Sequence, residues 1–242
     1  MMLILLPMCL AAQEKAESSA RLLVGGGWAD VLDTYLSPYS YKGGTLGLTI
    51  ERQYEHTMHR TSLHGSFIEN PAGNVNEYDF GVAYGLAHHF QLLKRGAFSV
   101  KAGPMGHIYA GCLYNERNGN NPAQGRLSFD LSASAGGAWS FHLRRRLLIA
   151  RYQADMPLLG CMFSPQYGQS YYELSKGDRD HNVCFAWPGN APSLRQMLSL
   201  DIPFRRFGLR LSYLSDVRQS RVNHIKVHDI SRSFMLGFVR RM

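Results

Sequence analysis

The feature that most constrains this chain is an alternation of apolar and polar residues that recurs in seven separate runs. In the run EYDFGVAYGLAH, Tyr78, Phe80 and Leu86 fall on one face, whereas Glu77 and Asp79 fall on the other. A period of two is that of an extended strand, whose successive side chains point to opposite faces. The other runs are TLGLTIE, RLSFDLSASAGG, LIARYQADM, SLRQMLSLDI, FGLRLSYLSD and SFMLGFVRRM. The sequence therefore predicts an all-β chain with no helix beyond its first residues.

Strands with one apolar and one polar face fit two settings, a soluble antiparallel sheet or a membrane barrel. Many of the runs have about 9–11 residues, the length of a tilted strand that crosses a bilayer. The polar faces carry both signs of charge, as Arg151 and Asp155 show, which suits a wet lumen. The last run can pair with the first strand and so leave no open edge. We therefore expect a transmembrane, antiparallel, up-and-down β-barrel.

The first residues, MMLILLPMCLAAQEK, combine an apolar run with small residues, the pattern of a secretory signal. Residues 1–12 are predicted to be a cleaved signal peptide, and residues 13–242 a single barrel domain in the cell outer membrane. About 230 residues at roughly 19–23 per strand and connection give about 12 strands, with ten as the alternative. Three cysteines would remain, and a Cys161–Cys184 disulfide and two unpaired thiols are both compatible with the sequence.

The net charge of +8 is spread along the chain, with short clusters beside strand-like runs at 144–146, 205–206 and 240–241. That placement favours contact with acidic lipid headgroups over a stripe that binds nucleic acid. The expected partners are outer-membrane lipid, including lipopolysaccharide, and the barrel assembly machinery during insertion, with no nucleic acid. The histidine and cysteine spacings match no metal pattern, so no metal or cofactor is predicted.

The segment PLLGCMFSPQYGQSYYELS, at 157–175, is neither a periodic helix nor an alternating strand. A strand is expected to finish near Pro157, because proline cannot donate to a β-ladder. The amide and phenol groups that follow can hydrogen-bond without charge. We therefore expect residues 163–175 to fold into or across the mouth of the barrel, although an ordinary surface hairpin is the alternative.

Six sequence segments carry information beyond the alternation of apolar and polar residues. They are VLDTYLSPYSYKG (31–43), LYNERNGNNPA (113–123), PLLGCMFSPQYGQSYYE (157–173), DHNVCF (180–185), GNAPSLRQMLSLD (189–201) and SFMLGFV (233–239). They resemble a family of uncharacterised Bacteroidetes outer-membrane β-barrel proteins, known only as a domain of unknown function. The resemblance implies an outer-membrane barrel and assigns no activity, so no catalytic residue can be carried over.

Candidate functional residues come from the polar faces and from the mouth segment. The predicted lumen and binding residues are Asp79, Asp130, Arg151, Asp155, Gln166, Tyr167, Gln169, Tyr171, Arg195, Asp201, Arg210 and Asp216. In a narrow barrel such charges form a plug, and in a wider one they select permeants. No catalytic residue is assigned, since Ser170, Asp180 and His181 are only weak candidates for a hydrolytic triad.

These observations rank three functions. The first is a structural or binding barrel with an inward-folding loop rich in tyrosine and glutamine. The second is a narrow channel or small-solute transporter, and the third is a hydrolase that acts on outer-membrane acyl chains.

Overall fold

The computed structural model describes residues 18–205 and 207–241 of the chain, and almost all of them belong to long antiparallel strands. The predicted signal peptide lies outside the described residues. The strands are β1 (Ser19–Asp33), β2 (Tyr41–Gln53), β3 (Thr57–Glu69), β4 (Asn76–His88), β5 (Phe90–Arg95), β6 (Phe98–Asn115), β7 (Ala123–Leu143), β8 (Arg146–Phe163), β9 (Val183–Ala186), β10 (Ser193–Pro203), β11 (Phe207–Val222) and β12 (Ile225–Arg241). One five-residue helix, α1 (Tyr171–Ser175), interrupts this pattern.

Ten of these strands close into a barrel. The neighbours run from β1 through β4, then β6 to β8 and β10 to β12, and β12 pairs with β1 from Ser19–Arg241 to Asp33–Val227. β5 pairs only with β6, and β9 pairs only with the last residues of β8, so both lie outside the closed ring. The expectation of a closed all-β barrel is confirmed. The preferred count of 12 barrel strands is wrong, and the alternative of ten is right.

The count differs because the barrel strands are longer than a membrane crossing requires. β7 has 21 residues and β8 has 18, against the 9–11 or so that span a bilayer. Because each strand takes more residues, the same chain length forms fewer strands. The strands also extend beyond the region that their apolar residues cover.

The alternating pattern of the sequence sets which side chains point outward. On β4, Phe80, Val82 and Tyr84 are each 40–50% exposed. Glu77 and Asp79, on the opposite face of the same strand, are about 1% exposed. The apolar residues therefore form the outer surface and the polar residues fill the interior. This is the reverse of a soluble sandwich, in which apolar faces meet in the core.

The connections divide the barrel into two ends. The turns at 54–56 and 144–145 and residues 204–205 lie at the end called here the base. The opposite end, the mouth, carries most of the longer connections, including residues 164–192 with α1 and β9. A small apolar cluster, centred on Val31, Ile68 and Leu113, packs inside the barrel near the mouth.

The structure corrects two expectations for the segment at 157–175. β8 does not finish near Pro157 but continues to Phe163, because Pro157 sits at a β-bulge where the pairing with β7 shifts by one residue. α1, which the sequence did not predict, is only one turn long. It is stabilised by a capping box between Ser170 and Glu173.

Candidate functional site: a charged lumen and the cavity inside it

A layer of charged side chains crosses the barrel near the base. This base layer consists of Arg21, Glu51, Arg60, Arg151, Asp155, Asp201 and Arg210. Arg60 on β3 reaches across the lumen to Asp155 on β8 and also donates to Glu51 on β2, with 3.3 Å between Nε and Oε2. Arg210 on β11 pairs with Asp201 on β10 at 2.8 Å. The Arg60–Asp155 bond joins opposite walls of the lumen, whereas the Arg60–Glu51 and Arg210–Asp201 bonds join neighbouring strands.

A second layer lies near the mouth. This mouth layer consists of Asp33, His64, Asp79, Arg126, Arg218 and Asp229. Arg126 on β7 contacts three carboxylates from other strands, with N–O distances of 3.2 Å to Asp33, 3.4 Å to Asp79 and 3.3 Å to Asp229. Arg218 pairs with Asp229 at 2.8 Å. A single guanidinium thus ties β1, β4 and β12 together from the opposite wall.

Between the two layers lies a cavity of about 180 Å³, called here the lumen cavity. Arg60 and Asp155 of the base layer line one end, and Arg126 and Asp229 of the mouth layer line the other. Arg195 lies along one side of the lumen cavity. It donates to Ser62 on β3 at 3.0 Å and pairs with Asp216 at 3.1 Å. For scale, an engineered apolar cavity of about 150 Å³ holds a benzene molecule.

Residues 164–182, called here the mouth segment, lie across the mouth and touch three parts of the wall. The Tyr35 hydroxyl, just after β1, donates to the Gln169 carbonyl at 2.8 Å. The Tyr171 hydroxyl accepts from the backbone N–H of Gly125 on β7 at 2.5 Å. Asn223, in the β11–β12 turn, donates to the Ser164 carbonyl at 3.0 Å. The segment therefore covers the lumen rather than extending away from it.

The mouth segment also has internal order. The Asn182 amide donates to the Gln169 side chain at 2.7 Å and to the Ser164 carbonyl at 3.2 Å. All three residues are buried, so these bonds satisfy polar groups that have lost contact with water. Burial also raises the pKa of Tyr35 to about 12, with Tyr171 and Asp33 as the next causes.

The structure brings together most of the predicted lumen residues. Eight of them point inward and take part in the layers or line the lumen cavity: Asp79, Asp130, Arg151, Asp155, Arg195, Asp201, Arg210 and Asp216. Asp130 lies 3.1 Å from His107 and accepts from Ser132 at 2.6 Å. What these residues do in the protein remains a prediction.

The four predicted residues of the mouth segment divide evenly. Gln169 is buried and Tyr171 is half-buried against β7. Gln166 and Tyr167, in contrast, are exposed, and the Tyr167 ring is 68% exposed. The expectation of an inward position is wrong for these two side chains, because the segment turns there at Gly168, whose φ is +84°.

The weak catalytic candidates do not form a triad. Ser170 bonds to Glu173 as the helix cap, while His181 pairs with Asp180 at 3.0 Å on the exposed surface. The described residues show no bond between Ser170 and His181, so this geometry supplies no nucleophile with an adjacent base. Cys161 and Cys184 are both free thiols on neighbouring strands.

Several members of the layers were not predicted from the sequence, namely Arg21, Glu51, Arg60, Arg126 and Arg218. All but Arg21 fall on the polar face of their strand, so extending the alternation to every strand end would have found them. Arg21 shares its face of β1 with the buried apolar residues Leu23 and Val31, so the alternation does not reveal it. Across the part of the chain that the structure describes, no group of three or more His, Cys, Asp or Glu side chains is placed to hold a metal ion. No helix in the described ranges has the length and apolar character to span a bilayer.

A barrel of the outer-membrane type, with a charged lumen and a covered mouth, is the class that this geometry defines. The chain belongs to the family described as protein of unknown function (DUF3316), which matches residues 1–242. No curated protein matches the sequence. The Bacteroidetes source implied by the resemblance remains a prediction.

Similar solved structures include two proteins from Escherichia coli. The outer membrane protease OmpT from Escherichia coli is similar with a TM-score of 0.50 and 7% identity, over 95% of this chain and 98% of that one. The transport unit of the autotransporter AIDA-I from Escherichia coli has a TM-score of 0.46 and 11% identity, over 98% of this chain and 93% of that one. At this identity, the likeness to OmpT concerns the fold and not the activity.

Proposed function

We propose that this protein is an outer-membrane barrel that binds a small ligand in its lumen cavity and does not conduct ions. The observation that carries the proposal is the base layer, in which Arg60 pairs with Glu51 on the neighbouring strand and reaches across the lumen to Asp155. The outward apolar belt and the OmpT-like fold support the membrane location. The covered mouth and the cavity below it support binding.

The ion pairs of the base layer are expected to block permeation because they fill the cross-section with bonded side chains. Arg60, Glu51 and Asp155 are at most 7% exposed, and we expect no continuous water path past them. Removing one partner alone would leave a buried, uncompensated charge at a cost of about 3–5 kcal/mol. A variant that tests the barrier must therefore remove charges in balanced sets.

The test is conductance in a planar bilayer. The wild-type protein is expected to show no channel steps, whereas the balanced variant Arg21→Ser, Glu51→Ser, Arg60→Ser, Asp155→Ser is expected to conduct. The matched control is Asp30→Ser, Lys42→Ser, which removes an exposed ion pair and leaves the lumen unchanged. Ion-selective steps from the wild type would favour the narrow channel instead. A silent balanced variant would show that the base layer is not the barrier.

A further inference from the structure

The barrel wall is incomplete on one side. β8 and β10 pair over seven residues each, from Asp155–Arg195 to Ile149–Asp201. Farther toward the mouth, β9 pairs with Gly160–Phe163 of β8. Between these two ladders, residues 156–159 have no partner strand on this side within the described structure. We call this interruption the wall gap.

Two backbone features maintain the wall gap. Pro157 has no N–H to donate, and the β-bulge beside it moves β8 out of register. On the opposite side, the 187–192 turn leans toward β11, where the Asn190 carbonyl accepts from Arg221 N–H at 2.7 Å. The Asn190 side chain also accepts from Trp187 N–H at 2.9 Å. These bonds fix the turn against β11, and no residue of the turn pairs with β8 in the described structure.

The lumen cavity continues through this gap. Its lining includes inward residues of β8, such as Pro157 and Met162, together with the outward residues Leu159 and Cys161. Both Leu159, at 52%, and Trp187 across the gap, at 52%, are exposed on the outer surface. Leu159 on β8 and Trp187 beyond the gap both line the cavity, which places the cavity beside the unpaired stretch of the wall.

The two ends of the cavity differ in chemistry. The gap is lined by Pro157, Leu159, Trp187 and Leu194, which offer apolar surface. The inner end is lined by four arginines and five aspartates, so its charges nearly balance. The Tyr109 ring at this end packs against the Arg218 guanidinium, whose carbon lies 4.3 Å from the ring centroid.

We propose that the wall gap is a lateral opening through which a single-chain amphiphile with a zwitterionic head, of the lysophospholipid class, binds in the lumen cavity. The head occupies the inner end, where Arg195 and Asp216 offer donors and acceptors to its two charges. The chain passes between Leu159 and Leu194 into the surrounding lipid. This proposal rests on the proposed function, since it names the ligand and the route for the binding barrel.

The test uses a disulfide that closes the gap. Met156 and Leu194 are the next residues beyond the Asp155–Arg195 pair, and both belong to the outward face. The locking variant is Met156→Cys, Leu194→Cys in a background in which Cys112, Cys161 and Cys184 are replaced by serine. The matched control, Tyr152→Cys, Leu198→Cys, joins the same two strands where they already pair. Each variant is reconstituted in phosphatidylethanolamine nanodiscs.

The probe is lysophosphatidylcholine with a diazirine near its head group, and adducts are mapped by mass spectrometry. The open protein and the control are expected to carry adducts on inward residues near Tyr109 and Met162. The locked variant is expected to lose these about tenfold, equal to ~1.4 kcal/mol, and to regain them on reduction. Recovery on reduction also shows that the variant folded. Unlabelled lysophosphatidylcholine is expected to compete, whereas a fatty acid of equal chain length is not.

Three results would overturn this proposal. They are adducts on outward residues only, equal inward labelling of the locked variant, and equal competition by the fatty acid. Conductance of the same samples separates these failures from that of the proposed function. A barrel that conducts while it is labelled through the gap would contradict the closed lumen and leave the lateral opening intact.

Discussion

Two seams of this barrel differ in how completely their strands pair. The β1–β12 seam pairs fifteen residues on each strand, whereas the β8–β10 seam pairs only seven. At the long seam, a Cβ added at Gly25 would lie 2.0 Å from the Phe234 carbonyl oxygen, so the close approach of the strands requires glycine. At the short seam, Pro157 removes a donor where pairing stops. Backbone chemistry thus closes the barrel at one seam and leaves it open at the other.

The largest expected effect is on the free energy of unfolding, and it should differ between the paired and unpaired parts of the short seam. Leu198 is 56% exposed and points outward where β8 and β10 pair, so Leu198→Arg places a charge in the apolar belt. We expect a cost of about 2–4 kcal/mol in the free energy of unfolding. Leu194→Arg is expected to cost roughly half as much, because its guanidinium can turn through the wall gap toward Asp155 or Asp216.

Urea unfolding in lipid vesicles, followed by tryptophan fluorescence, measures both costs. The two variants differ by four positions on one face of the same strand, so each serves as the control for the other. Equal costs would mean that the gap gives the side chain at 194 no access to the lumen charges.

A smaller effect is expected at the long seam. Gly25→Val would press a branched side chain against the backbone of β12 and destabilise the barrel by about 1–3 kcal/mol. The control is Gly44→Val on β2, where an added Cβ meets no atom within 4 Å. Urea unfolding and heat-dependent mobility on a gel measure the difference. If Gly25→Val behaves like Gly44→Val, the seam does not depend on close backbone contact.

The sequence predicted the parts of this fold that depend on alternation alone. Phe80 and Asp79 fall on opposite faces of β4 because side-chain direction follows directly from the period of two. The strand count did not follow, because nothing in the local pattern of β7 tells how far it extends past the apolar belt. The predicted end of β8 at Pro157 was also wrong, because a β-bulge tolerates proline inside a strand although proline cannot donate to the ladder.

The charged layers show a further limit. Arg126 lies on the polar face of its strand, which the sequence reveals, but its three carboxylate partners come from β1, β4 and β12. Which charges meet across a lumen depends on barrel closure and register, and neither can be read from a single strand. In the mouth segment, Gln169 and Tyr167 were both predicted to point inward from the same amide- and tyrosine-rich composition. They lie on either side of the turn at Gly168, and Gln169 is buried whereas Tyr167 is exposed.

The smallest expected effect concerns the bond that links the two seams across the mouth. Tyr35 follows β1, and its hydroxyl donates to the carbonyl of Gln169, which belongs to the segment that follows β8. Burial raises the pKa of Tyr35 to about 12 from an ordinary 10.0, and burial also raises the pKa of Tyr171. A raised folded pKa means that the protonated phenol is favoured in the closed mouth. The contribution of the protonated Tyr35 phenol to the stability of the closed mouth is therefore complete below pH 10 and is lost as the pH rises to about 12.

A spin label at Tyr172→Cys, in the background lacking Cys112, Cys161 and Cys184, reports this loss, because residue 172 is 69% exposed on α1. We expect the label to become mobile between pH 10 and about 12. Tyr35→Phe removes a hydrogen bond of about 0.5–1.5 kcal/mol, so its label is expected to be more mobile at neutral pH. The step above pH 10 should then shrink to the part that Tyr171 contributes. A full step in Tyr35→Phe would assign the titration to another group and separate the mouth segment from the long seam.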